Sequence, residues 1–196
     1  MTITYRVGSG LYINVTNRCT NSCVFCEREL VSSVGDSGSL WLEREPTREE
    51  IWEDIQKREL GEYSEVVFCG FGEPTERLDD LLWLCGKLKE EGAPPIRVNT
   101  NGHASLIAGA DTAPSFEGLV DALSISLNAH NAEEYARVCR PVFGIGTYDA
   151  LIDFSRRAAA YVPKVVLSVV EGVADVDACR RVAESVGLPL KVRERL

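Results

Sequence analysis

The chain has 196 residues, 45% of them hydrophobic and 26% charged, a size and balance that suit one domain with a substantial buried core. Its formal net charge of −9 argues against general nucleic-acid binding, because neutralising phosphates needs a basic surface. The first residues hold neither a basic segment nor a long apolar run, and no stretch approaches the roughly 18 apolar residues that cross a bilayer, so a cytoplasmic protein with no membrane attachment is expected.

Residues 11–16 alternate as a first strand, with Leu11, Ile13 and Val15 on one face and Tyr12, Asn14 and Thr16 on the other. Directly after it stand Cys19, Cys23 and Cys26, spaced C-x3-C-x2-C. Residues 27–46 come next, rich in Gly and Ser between Val31 and Leu40, and read as a lid or a flexible insertion, with composition favouring the second. A helix is expected over 47–60, opened by Thr47, then a strand over 64–70 and a helix over 78–91 that stops at Gly92. Further strands are expected over 95–101, 120–128, 164–170 and 189–194, with helices over 131–138, 147–161 and 175–186, the last running from Asp175 to Gly187. Strand and helix in alternation mean parallel βα units. Six strands are too few for a closed eight-stranded barrel, and the pattern alone does not separate a partial barrel from a doubly wound sheet.

Side-chain alternation along these strands gives each a polar face. Ser124, Ser126 and Asn128 oppose Leu123, Ile125 and Leu127, while Arg97, Asn99 and Asn101 oppose Ile96, Val98 and Thr100. Lys191 and Arg193, with Arg195 continuing the row, oppose Leu190 and Val192. If the apolar faces meet the helices, the polar faces line the inside of the barrel, where buried polar groups need a hydrated cleft or a large polar ligand. An open sheet with one solvated face is the other reading.

The cysteine loop is one ligand short. Four-coordinate sites need four ligands, whether the metal is zinc or the irons of a 4Fe-4S cluster, and a cluster held by three thiolates keeps one iron open. A zinc site completed by a distant His or Cys, or three ordinary thiols, are the alternatives; His103 and His130 are the only imidazoles, and no second C-x2-C pair is present. Cys69, Cys85, Cys139 and Cys179 are scattered, as expected of reduced buried thiols.

With Phe25 before its last cysteine, the loop resembles the signature of the radical SAM superfamily, in which the open iron binds the amino and carboxylate groups of S-adenosylmethionine. Gly70-Phe71-Gly72-Glu73-Pro74 after the second strand resembles that family's Gly-Gly-Glu-Pro segment, with Phe71 where a glycine is commoner; Asn99-Thr100-Asn101-Gly102 and Ser124 to Asn128 resemble its third- and fourth-strand motifs, with Asn128 where an acid is commoner. The resemblance implies an α/β fold, a partial (β/α)6 or three-quarter TIM barrel of parallel strands with outer helices, as a single core domain over residues 1–196. It implies Cys19, Cys23 and Cys26 as cluster ligands, and Gly72, Glu73, Pro74, Asn99, Asn101, Ser126 and Asn128 as S-adenosylmethionine contacts. Arg140, in the connection after the fourth unit, either clamps a carboxylate of that ligand with its guanidinium fork or is an ordinary surface arginine. The resemblance also implies a low-potential electron donor of flavodoxin or ferredoxin type, and an oxidoreductase or lyase reaction. There, reductive cleavage of S-adenosylmethionine gives methionine and a 5′-deoxyadenosyl radical that takes hydrogen from a substrate.

Residue by residue, plainer readings stand beside these. Gly70 to Pro74 and Asn101-Gly102 are also ordinary strand-end turns. Lys191 and Arg193 bind an anionic substrate if they face inward, and guard an exposed sheet edge if they face outward. His103 and His130 follow strand ends, where either could act on substrate or simply turn the chain. The order of motifs, including residues 41–46, 68–74 and 139–141, resembles the TatD-associated radical SAM proteins, which implies an association with a TatD-type hydrolase. The expected function is hydrogen abstraction from a small anionic molecule; a glycyl-radical-enzyme activase and a non-catalytic iron–sulfur or zinc binding protein are the rivals.

Overall fold

The computed structural model describes residues 1–194, so Arg195, the expected end of the basic row, lies outside the described residues. Seven strands form one sheet: β1 (Thr4–Val7), β2 (Gly10–Ile13), β3 (Glu65–Phe68), β4 (Ile96–Thr100), β5 (Ala122–Ser126), β6 (Lys164–Val170) and β7 (Leu190–Arg193). Their order across the sheet is their order in the chain. β1 pairs antiparallel with β2, and every later pair is parallel. A doubly wound sheet reverses its strand order at a switch point; this one never does, so right-handed crossovers put the helices on one side and the sheet curls into an open, partial α/β barrel.

β1 is absent from the sequence expectation. Its signal was the Gly8-Ser9 pair between two β-rich runs, which closes a tight hairpin with Val7 opposite Gly10.

Six helices follow their local chemistry: α1 (Arg48–Ile55), α2 (Leu78–Glu90), α3 (Ala104–Ala108), α4 (Ala132–Cys139), α5 (Thr147–Ala158) and α6 (Val176–Ser185). The short α3 lies outside the expected set, and α1 ends five residues early. Thr47 opens α1 with a reciprocal cap: its hydroxyl accepts the Glu50 N–H at 3.2 Å while the Glu50 carboxylate accepts the Thr47 N–H at 2.8 Å. Asp175 caps α6 through the Ala178 N–H at 2.9 Å. Gly92 and Gly187 take the left-handed conformation just past α2 and α6, at φ of 66° and 73°, where a Cβ would be strained.

The main core lies between sheet and helices, where Ile13, Phe68, Val98 and Ile125 meet Ile51, Leu84, Tyr135 and Leu151. The opposite sheet face is the barrel interior. There Arg97 donates to both oxygens of Glu65, at 2.9 and 2.6 Å, and reaches Asn99 and the Tyr12 hydroxyl, closing the floor of the barrel.

Residues 27–46 cross the β1 side of this interior. Leu40 is buried there with Tyr5 and Phe71. Asn14 donates to the Leu40 carbonyl at 2.7 Å, and Asn17 exchanges two hydrogen bonds with the Leu42 main chain. Composition pointed to a loose excursion; the side chains of Asn14 and Asn17 hold its second half down with three hydrogen bonds, while Leu30 and Val31 stay exposed. No helix among the described residues is long and apolar enough to cross a membrane.

Candidate metal and cofactor site

The C-terminal ends of the parallel strands surround a cavity of about 190 Å³ bordered by Cys19, Cys23 and Cys26. Residues 17–26 leave the end of β2 and are clamped against the end of α4. The Ser22 N–H donates to the Cys139 carbonyl at 3.0 Å and the Val24 N–H to the Val138 carbonyl at 2.9 Å, while Thr20 accepts the Val142 N–H at 2.9 Å. Burial, reinforced by the charge of Glu73, pushes the Cys19 thiol up to about 12. A hydrogen bond with Cys139 holds the Cys23 thiol below its ordinary range.

Gly72 lies against this loop so closely that a Cβ would sit 2.3 Å from the Thr16 carbonyl oxygen and 2.6 Å from that of Arg18. Only glycine allows that approach. The next residue, Glu73, is almost wholly buried. Its Oε1 accepts the Thr75 N–H at 3.1 Å, the Thr75 hydroxyl at 2.7 Å and the Thr100 hydroxyl at 2.7 Å; its Oε2 accepts the Asn101 N–H at 2.6 Å. Burial still raises its pKa, because desolvation outweighs these donors. One oxygen, with a single donor, keeps an open lone pair beside the cavity.

Asn99, Asn101, Ser126, Asn128 and Arg193 border the same cavity. Asn128 takes a left-handed backbone at φ 51°, which an asparagine tolerates and which turns the chain at the end of β5. Arg193 pairs with Val170 and Lys191 with Ser168, so both cations lie on the interior face of β7, the edge strand. Lys191 is exposed and does not border the cavity. Neither does Pro74, which is buried in the first turn of a short 3-10 helix, nor Arg140, an exposed residue at φ 49° that ends α4. His103 and His130 are also outside the cavity lining. His103 is fully buried behind it, which leaves the reading in which it acts on substrate without access.

Among the further residues that border the cavity without having been expected there are Cys69, Asn21 and Arg28. Alternation beyond β3 places Cys69 on the interior face, so its signal was readable in the sequence. Asn21 and Arg28 carry no local signal.

Among the described residues, no three His, Cys, Asp or Glu side chains close round a point as they would for a single ion. The three cysteines instead border one cavity, an arrangement that suits a cluster several atoms across better than one zinc ion. Asn21 Oδ1, Asn128 Oδ1 and Arg193 Nε are buried there without hydrogen-bond partners among the described residues, while Arg28 Nε faces the Glu29 carboxylate at 3.4 Å. Buried polar atoms are nearly always satisfied, so three orphans round one cavity match a polar ligand. The residues present fit a 4Fe-4S cluster with S-adenosylmethionine: three thiolates, a carboxylate for the ammonium, and amides and guanidiniums for the remaining polar groups.

The model of the Radical SAM superfamily matches residues 13–179, and the chain belongs to that superfamily. Membership implies a 4Fe-4S cluster and S-adenosylmethionine as cofactors. A solved structure of TYW1 with a lysine-pyruvate adduct bound is similar over 96% of this chain and 65% of that one, at 17% identity and a TM-score of 0.62. A radical SAM methyltransferase from Sphaerobacter thermophilus is similar over 97% of this chain and 68% of its own, at 18% identity and a TM-score of 0.62. Methylornithine synthase (PylB) is similar over 95% and 53%, at 20% identity and a TM-score of 0.61. Such likenesses are of fold, and the chain spans only about half to two thirds of those proteins' lengths. No curated protein matches it.

Proposed function

We propose that this protein cleaves S-adenosylmethionine reductively and abstracts hydrogen from a small anionic substrate. The observation that carries the reading is the shared cavity, which the cysteine loop, Glu73 and three residues with orphaned polar atoms border together. When bound, the cluster and S-adenosylmethionine supply one-electron cleavage to methionine and a 5′-deoxyadenosyl radical. Cys19, Cys23 and Cys26 would hold the cluster, and Glu73 Oε2 would take the methionine ammonium. Gly72 brings the backbone close to both, Asn99, Asn101 and Ser126 receive the carboxylate and ribose, and the Asn128 Oδ1 accepts a ribose hydroxyl. Arg193, with Lys191 nearer the solvent, attracts the substrate anion. Pro74 stiffens the turn, and Arg140 approaches a carboxylate only by swinging in from the surface.

A low-potential carrier of flavodoxin or ferredoxin type supplies the electron in the cytoplasm. The order of motifs supports a place beside the TatD-associated proteins, and co-purification of a TatD-type hydrolase from the source cell tests it. The central experiment is anaerobic reconstitution with iron and sulfide, then reduction with S-adenosylmethionine and assay for 5′-deoxyadenosine. Formation of that product supports the proposal, whereas a fully loaded cluster that yields none leaves only an iron–sulfur binding protein. Product that forms only with a much larger partner protein points to the activase.

A further inference from the structure

Behind the cavity a chain of buried hydrogen bonds joins the metal loop, the turn after β4 and α4. His103 lies at its centre and is fully buried. Its Nδ1 is 2.8 Å from the Thr20 hydroxyl and its Nε2 is 2.8 Å from the Tyr135 hydroxyl. The Asn101 side-chain nitrogen is 2.9 Å from the same Thr20 oxygen, and Asn101 Oδ1 is 3.0 Å from the His103 main-chain nitrogen.

Pairing every buried proton sets the direction of the bonds in this chain. A main-chain N–H can only donate, so the Asn101 atom facing the His103 nitrogen is the oxygen, and the amide NH2 must face Thr20. The Thr20 oxygen therefore accepts from Asn101. Were it to accept from Nδ1–H as well, its own proton would have no acceptor among the described residues, whereas the Tyr135 hydroxyl has the Cys139 thiol as a further partner, so the Thr20 proton goes to His103 Nδ1. Nδ1 is then the acceptor, and the ring proton sits on Nε2, donated to Tyr135. Asn21 Nδ2 approaches the same phenol oxygen at 3.1 Å, which has two lone pairs to accept both. No carboxylate hydrogen-bonds the imidazole, so nothing there supports an imidazolium.

The residues so locked are those that matter to the site. Thr20 is the neighbour of Cys19, and Asn101 gives its N–H to Glu73 while its amide approaches Cys19 Sγ at 3.9 Å. We propose that His103, as the neutral Nε2–H tautomer, is a positioning residue: it orients Thr20 and, through Thr20, the Asn101 side chain that joins the Cys19 ligand to Glu73. This rests on the reading of Cys19 as a cluster ligand. Supporting groups of this kind typically change metal retention by about tenfold or more when removed.

Two measurements test it. Long-range nitrogen–proton NMR on the apo protein reads the tautomer directly, since only two histidines need assignment; an Nε2–H pattern for His103 is expected, and an Nδ1–H pattern overturns the proposal. Tyr135→Phe and Thr20→Val, each close in size to the residue replaced, are then reconstituted beside the wild type, with apo melting curves as a check on folding. Cluster loss to a chelator about tenfold faster is expected in both. The change that S-adenosylmethionine produces in the reduced cluster's EPR spectrum is expected to need more ligand. A wild type that holds no cluster sinks the Cys19 reading and this proposal with it; a loaded wild type whose variants lose iron no faster sinks this proposal alone.

Discussion

Asn101 touches Glu73 and Cys19 at once, its main-chain N–H 2.6 Å from the carboxylate and its side-chain nitrogen 3.9 Å from the sulfur. The group that would bind the ammonium of S-adenosylmethionine and the first ligand of the metal loop are thereby tied to one turn, the one that follows β4. Movement of either is felt by the other.

Glu73→Gln is the sharpest probe of that tie. Each Glu73 oxygen accepts a main-chain N–H, from Thr75 on one and Asn101 on the other, so a carboxamide must turn its NH2 towards one of them. An unmade buried hydrogen bond costs about 1–3 kcal/mol. A lower urea midpoint is expected, together with at least tenfold weaker S-adenosylmethionine binding by the cluster-loaded protein; unchanged binding would remove Glu73 from the site.

Acid should destabilise the apo protein through His103. Burial lowers its pKa from 6.5 to about 4, so between those values the unfolded chain binds more protons than the folded one, and stability rises with pH. The neutral ring costs nothing above pH 6.5, and a penalty grows as pH falls through 6.5 towards 4, to about 3 kcal/mol at most. Urea midpoints across this window should fall more steeply for the wild type than for His103→Gln. Parallel curves would place the titrating group elsewhere.

Phe71 stands where the family more often has glycine, and it works as packing. It is buried with Tyr5 and Leu40 and meets Trp41 edge-on with ring centroids 5.3 Å apart. Phe71→Ala should cost about 3 kcal/mol and speed limited proteolysis within residues 30–42, mapped by mass spectrometry. Cleavage at the wild-type rate would mean that Asn14 and Asn17 hold this segment unaided.

Gly72→Ala places a methyl against two main-chain oxygens of the metal loop, at 2.3 and 2.6 Å. Neither oxygen can yield without moving the loop, so a loss of about 1–3 kcal/mol is expected. Iron content after reconstitution should drop well below the wild type. Full loading would show that the loop takes up the strain without moving its cysteines.

Local chemistry made much of the molecule legible in the sequence. The C-x3-C-x2-C loop, the glycine and carboxylate of Gly72-Glu73, the caps at Thr47 and Asp175 and the polar strand faces each depend on residues a few positions apart, and the two caps form where the sequence put them. Alternation also put Arg193 and Lys191 on one face, but not on the inward one, because that depends on which side of the sheet the helices cover. Only the fold decided that residues 27–46 are pinned by Asn14 and Asn17, that Arg97 is taken up by Glu65, and that His103 belongs to a buried network. In each case the partner lies on another element, separated by 83 residues for Thr20 and His103. A hydrogen bond between such residues leaves no periodicity in the chain, because its geometry is set by the packing of whole strands and helices.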